Sequence, residues 1–284
     1  MPPRDNPSAR QIRLGAELRK LRERAGRTAR ESGGLLSTDA ARISNIEAGR
    51  LGISAERIRR LATFYQCDDE PLITALCEIA AERRGTHWFD DYRGVLTPGW
   101  LDIAELELHA TAIRTSQSTT MPGPFQTETY SRTLFEGVTP ALPANEVDTR
   151  VEHRLKRRAA FEGPTSTPYA AIVHEAALRM RFGGRKVTRE QLEYLVEVSH
   201  LPNVSVRVIP FTNERFIEVT QPVMYAHGTV PQLDTVQIDS ASGGRFLDAE
   251  ADLKKYNGLL DIAEEASLDE AESRQFIHNI AQET

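Results

Sequence analysis

The sequence predicts two folded parts: a mainly α N-terminal bundle, then an α+β C-terminal domain with one mixed sheet. Three observations lead there. Between residues 10 and 84 apolar side chains recur at helical spacing, broken by strong capping residues. Between 85 and 100 the texture changes, and both tryptophans fall there. Beyond Pro168 short apolar and β-branched runs alternate with helical stretches, the pattern of strands and helices packed on a shared sheet. A chain of 284 residues is long enough for about two domains with a buried core.

The first helix is expected over 10–25, where Leu14, Leu18, Leu21 and Ala25 make one stripe and Arg and Glu occupy the other faces. Gly26 ends it as a left-handed cap. Thr28 caps a short second helix running to about Leu36. Thr38 caps a third from Asp39 to Glu47, with Ile43 and Ile46 on its inner side, and Gly49 closes it. Ser54 caps a fourth carrying Ile58, Leu61 and Phe64. Pro71 opens a fifth with Leu72, Ile73, Leu76 and Ile79. Five short helices with a tight turn between the second and third describe a helix-turn-helix bundle.

Charge separates the two parts. Residues 1–65 hold fourteen Lys and Arg against seven Asp and Glu, a net of +7, whereas residues 66–284 carry −13. A basic head on an acidic body is the balance of a nucleic-acid reader with a separate second domain; a solvated helical surface gives the same count. The string Ile43-Ser44-Asn45-Ile46-Glu47-Ala48-Gly49-Arg50, with Gly26 to Asp39 before it, decides between them. It resembles the lambda-repressor/Cro-like (XRE-type) helix-turn-helix. The resemblance implies an ion pair between Arg22 and Glu47 that locks the third helix. It places that helix in the major groove of double-stranded DNA, with Ala40, Ala41, Arg42 and Asn45 outward to read bases and Arg27, Thr28, Arg30 and Arg50 near phosphates. Three positions depart from the pattern. Ser32 occupies a normally apolar place, Gly33 and Gly34 weaken the second helix by about 1 kcal/mol each, and Asp39 brings a carboxylate toward phosphate.

In the second part, helices are expected over 101–114, from Thr127 to Phe135, over 144–161, 188–200, 249–265 and 268–282, the last opened by Ser267 and Glu270 as a capping box. Strands are expected at Tyr169–His174, Val204–Ile209, Pro222–Ala226, Thr235–Ile238 and Arg245–Leu247. The strings Pro122-Gly123-Pro124-Phe125-Gln126-Thr127, Arg154-Leu155-Lys156-Arg157 and Val208-Ile209-Pro210-Phe211 stand in an order that resembles a large actinobacterial family. Its members carry a Cro-like helix-turn-helix before a domain of unassigned function. That resemblance implies links to development, secondary metabolism and toxin–antitoxin-like pairs, often with a small protein encoded nearby.

Little in the chain suggests catalysis. Glycine-rich phosphate loops and nucleophile elbows are missing, and His174-Glu175 lacks a second metal ligand because Leu178 stands four residues on. Cys67 and Cys77 read as free thiols. The cations Arg150, Arg154, Lys156, Arg157 and Arg158 form either a solvated face or a dock for the acidic 246–284 tail or an anionic ligand; ion pairs inside the protein are the favoured reading. Arg154, Glu175 and Arg179 form a candidate effector or partner site.

The expectation is therefore a non-enzymatic cytoplasmic regulator without cofactor, metal or membrane span. Residues 1–9 would be a flexible arm, 10–84 the DNA-binding domain, 85–100 a hinge and 101–284 a dimerisation and regulatory domain. It would act as a homodimer, and a small-molecule effector or a small protein would signal to it. The alternative is an antitoxin-like protein that masks a small partner and autoregulates.

Overall fold

Caps and apolar stripes coincide in five N-terminal helices: α1 (Ala9–Arg24), α2 (Ala29–Leu35), α3 (Ala40–Glu47), α4 (Ala55–Phe64) and α5 (Glu70–Ala81). The computed structural model describes residues 6–82, 85–162, 166–240 and 243–284. Residues 1–5 of the expected arm lie outside the described residues, while Ser8 caps α1 and the Ala9 N–H donates to Asp102 at 3.0 Å. The cap of α3 is Asp39, not Thr38. The Thr38 N–H closes the α2–α3 turn on the Gly33 carbonyl at 2.8 Å, and the Asp39 carboxylate accepts from the Arg42 N–H at 2.7 Å. Asp69 likewise caps α5, one turn position before Pro71.

The chain divides into two compact units. The first contains residues up to Leu106 and also takes in Gly228–Asp234. Its core holds Leu18, Ile43, Ile58, Leu61 and Leu76, joined by Val230 and Leu233 from that distant segment. Polar groups fix the segment there: the Arg13 guanidinium donates to the Gln232 carbonyl, and the Gln232 amide donates to Asp69 at 2.8 Å. Trp88 and Trp100 seal a small cluster with Tyr92, Leu96 and Leu101, around a single 3-10 turn at Trp88–Tyr92.

A sixth helix, α6 (Pro98–His109), is shorter than the expected 101–114. Its predicted last turn is part of a strand, β1 (Ala112–Gln117), that the periodicity did not reveal. Ile113 and Thr115 fit a helical stripe and a strand alternation equally well over so few residues. Hydrogen bonding to strands on both sides settles the matter, because a central strand satisfies every backbone group of the segment.

β2 (Tyr169–His174) and β3 (Val204–Ile209) fall where expected, and β4 (Val223–His227), β5 (Thr235–Ser240) and β6 (Gly243–Leu247) follow within a residue or two. The strands form one six-stranded mixed sheet in the order β3-β2-β1-β4-β5-β6. β1, β2 and β3 are parallel; β4, β5 and β6 run antiparallel to their neighbours. The remaining helices are α7 (Glu128–Glu136), α8 (Ala144–Lys156), α9 (Ala159–Glu162), α10 (Glu175–Arg179), α11 (Arg185–Val198), α12 (Glu250–Glu265) and α13 (Glu270–Glu283). The expected 144–161 helix breaks after Lys156, where Arg157 turns inward to Glu107. The capping box of α13 is Asp269 with Glu272, because the Ser267 hydroxyl is already bonded to the Ala263 carbonyl at the end of α12.

The two faces of the sheet are covered differently. On one, Val223, Tyr225, Val236 and Ile238 pack against Leu260 of α12, and Arg114 reaches Asn257, Asp261 and Glu264 on the same helix. On the other, Tyr169 meets Phe125 and Phe161 with ring centroids 4.8 and 6.3 Å apart. Among the described residues no helix is long and apolar enough to cross a membrane.

Candidate nucleic-acid interface

Helix α3 is held from behind. The Arg22 guanidinium grips Glu47 through two bonds of 2.6 and 2.9 Å and donates a third to the Arg27 carbonyl at 2.9 Å. The side chains are only 12% and 8% exposed. The hydrogen bond to Glu47 and its charge hold the Arg22 pKa above the usual arginine value despite partial burial. One contact thus fixes α1, the end of α3 and the turn into α2.

Glycines set the spacing. A Cβ on Gly15 of α1 would lie 2.4 Å from the Glu47 carbonyl oxygen and 2.6 Å from that of Ile46. A Cβ on Gly33 would lie 2.8 Å from the Thr38 carbonyl oxygen, so this residue is required by the α2–α3 turn rather than merely tolerated. Gly34 faces open space. Ser32 is equally accounted for: fully buried, it accepts from the Tyr65 hydroxyl at 2.8 Å and donates to the Thr28 carbonyl at 3.1 Å. Gly15 was missed by sequence reasoning, although a glycine inside a strong helical stripe is itself a sign of close backbone approach.

With its inner side fixed, α3 turns Ala41 and Arg42 fully to solvent and leaves Ala40 and Asn45 half-exposed. Arg42 makes no ion pair among the described residues, and neither do the exposed Arg30 and Arg50. The Asn45 amide donates to the Ala41 carbonyl at 3.0 Å, so it must swing away before it can pair with a base edge. Two expected phosphate ligands are already engaged. Thr28 forms a capping box with Glu31, whose carboxylate accepts from the Thr28 N–H at 2.7 Å and is held below the usual glutamate pKa by those bonds. Arg27 lies 4.6 Å over the Phe64 ring and 3.7 Å from Glu31. A phosphate at this helix start would replace the Glu31 carboxylate, whereas Arg30, Arg42 and Arg50 are immediately available.

In the second unit Arg154 and the Glu175–Arg179 pair are held by different partners. Arg154 donates to the Gln126 side-chain oxygen at 2.7 Å. Glu175 binds Arg179 at 2.6 Å and accepts from the Phe211 N–H at 2.6 Å, and Arg179 reaches Glu283 at 3.3 Å. The cations of α8 find partners inside the protein: Arg150 with Glu146, Lys156 with Glu152, and Arg157 with Glu107. Acids of the tail pair with Arg114, Arg179 and Arg215. Gln126 is the hub of this region. It is buried, bonds Met121 and Ser131, and its backbone carbonyl accepts from Arg158 at 2.8 Å. Among the described residues no group of three His, Cys, Asp or Glu is placed to hold a metal ion.

Comparison with known families matches a helix-turn-helix domain over residues 13–75 and a domain of unknown function, DUF5753, over residues 100–279. Neither a curated protein nor a solved structure matches significantly. The first match covers α1 to α4 with their exposed arginines, and the second covers the whole sheet, most of the chain; the chain therefore belongs to the DUF5753 family, with a helix-turn-helix domain at its N-terminus.

Proposed function

We propose that the chain is a sequence-specific, DNA-binding transcriptional regulator of the lambda-repressor-like (XRE) type, active as a homodimer and working by binding rather than catalysis. The observation that carries this reading is the solvent-facing side of α3, with Arg42 unpaired on a helix whose inner side is locked by Arg22 and Glu47. Arg42 has the geometry to grip a guanine through O6 and N7, and Asn45 an adenine through N6 and N7. One such helix reads few base pairs. Affinities of about 10⁻⁸–10⁻¹¹ M call for two half-sites about one helical turn apart, which a homodimer supplies. The second unit then senses a small-molecule effector or a small partner protein and adjusts the spacing of the two reading helices.

Selection of binding sites from random duplexes, followed by salt-dependent binding of variants, tests this. Arg42→Ala should relax preference at one base position at a cost of about 1–3 kcal/mol there, whereas Arg50→Ala should weaken all duplexes alike and flatten the salt slope. No enriched sequence at low salt, or a monomer on the selected site, sinks the proposal. The antitoxin-like reading draws support from Phe211 and Phe216, 58% and 82% exposed on the acidic second unit. A stoichiometric small basic protein, co-purifying in place of tight DNA binding, would favour it.

A further inference from the structure

The strand order makes β1 the point where the sheet reverses its direction of growth. The chain leaves β1 to build β2 and β3 on one side, then returns to add β4, β5 and β6 on the other. At the carboxyl end of such a strand the neighbouring connections diverge, and the crevice they leave is where open sheets flanked by helices take their ligands.

Polar side chains gather at that end. On the β1 face that carries Thr115 and Gln117, the register sets Met224 beside Thr115 and Gln237 beside Met224. Asp239 follows Gln237 on the same face of β5, level with the end of β1. Thr115 and Gln237 are buried, Gln117 is half-buried and Asp239 is exposed, so the row runs from solvent inward. The Gln237 amide donates to Asp239 at 2.6 Å and the Gln117 amide to Thr115 at 3.0 Å.

A cation faces this row. Arg154 of α8, anchored on Gln126 and lying 4.9 Å over the Phe135 ring, interacts electrostatically with Asp239 and with Tyr169 on the same sheet face. Burial, and next the Arg157 cation, push its pKa down to about 9, so its charge is held at a cost that an incoming anion would offset. One cation and one carboxylate flanking a row of amides match a ligand that carries both charges. A bare anion meets Asp239, and a bare amine meets Arg154.

We propose that the carboxyl end of β1, between Arg154 and the row Gln117, Gln237 and Asp239, binds a small amino-acid-like zwitterion. Its carboxylate pairs with Arg154 and its ammonium with Asp239. The inference deepens the small-molecule sensing role proposed above and rests on it. Thermal shift and calorimetry on the full chain, with each L-amino acid at millimolar concentration, test it; acetate and inorganic phosphate are the anion controls. At least one amino acid should raise the melting temperature saturably by several degrees, and Arg154→Met and Asp239→Asn should each weaken its binding tenfold or more. Asp239 is exposed, so its variant remains informative if Arg154→Met fails to fold. A null result for every amino acid, equal shifts by acetate or phosphate, or undiminished binding by folded variants overturns the site. DNA affinity measured on the same samples separates the two readings: saturable binding with unchanged DNA affinity upholds the site and removes the sensing role.

Discussion

Replacing Glu47 with Ala strips the Arg22 guanidinium of two charged hydrogen bonds, of 2.6 and 2.9 Å, in a place where its side chain is 12% exposed. Removing one half of a buried pair usually costs about 3–5 kcal/mol, because the other charge stays desolvated. Here Arg22 keeps the Arg27 carbonyl at 2.9 Å and a weaker contact with Glu23 at 3.6 Å, so the lower end, about 3 kcal/mol, applies. For a unit of this size that is a fall of roughly 10 °C in melting temperature. The intact pair is worth far less than this, since forming it already dehydrated both charges. The double variant Arg22→Met/Glu47→Leu should therefore recover most of the loss while lowering DNA affinity. Thermal melts of the two single variants and the double variant form a cycle that isolates the coupling. Unchanged melting of Glu47→Ala, or single-variant costs that simply add, would refute the argument that this contact holds α3.

Three further outcomes follow from the packing and the titratable groups. Gly15→Ala forces α1 and α3 apart by about 1 Å and should cost about 3 kcal/mol in urea unfolding, whereas Gly34→Ala, facing open space in α2, should add about 0.5–1 kcal/mol. Leu233→Ala should cost about 2–3 kcal/mol and speed hydrogen exchange in α1 and α5, because Leu233 completes the first unit's core from a segment far along the chain; unaltered exchange would show that the segment only rests there. Glu105 is pushed up to about 6, by burial first and then by Asp102 and Glu82, against the hydrogen bond from Ser8 and the charge of Arg10. Its folded pKa exceeds the unfolded value, so its favourable contribution is full below about pH 4.5 and is lost as pH rises through about 6. Glu105→Gln should thus be about 2 kcal/mol more stable than the parent at pH 7.5 and equal to it at pH 4, read from melting curves across that range.

Much of this protein was legible in the order of its residues. Local chemistry determined the five N-terminal helices, since caps such as Ser8, Thr28 and Ser54 act within three residues and apolar stripes such as Leu14, Leu18 and Leu21 act within one helix face. The strands Tyr169–His174 and Val204–Ile209 were equally plain, being short apolar runs with β-branched residues. The solvent-facing residues of α3 could be named for the same reason: helical geometry alone fixes which side chains oppose Ile43 and Ile46. Tertiary structure decided whatever depends on partners distant in sequence. It made Ala112–Gln117 the central strand, made Gly15 and Gly33 points of backbone contact, and gave Ser32 its partner in Tyr65. It also sent Arg157 to Glu107 and Arg154 to Gln126, and brought Val230 and Leu233 into the helical core. Hydrogen-bond partners and close contacts between separate elements exist only once the chain has closed loops of tens to hundreds of residues, and periodicity within one element carries no record of them.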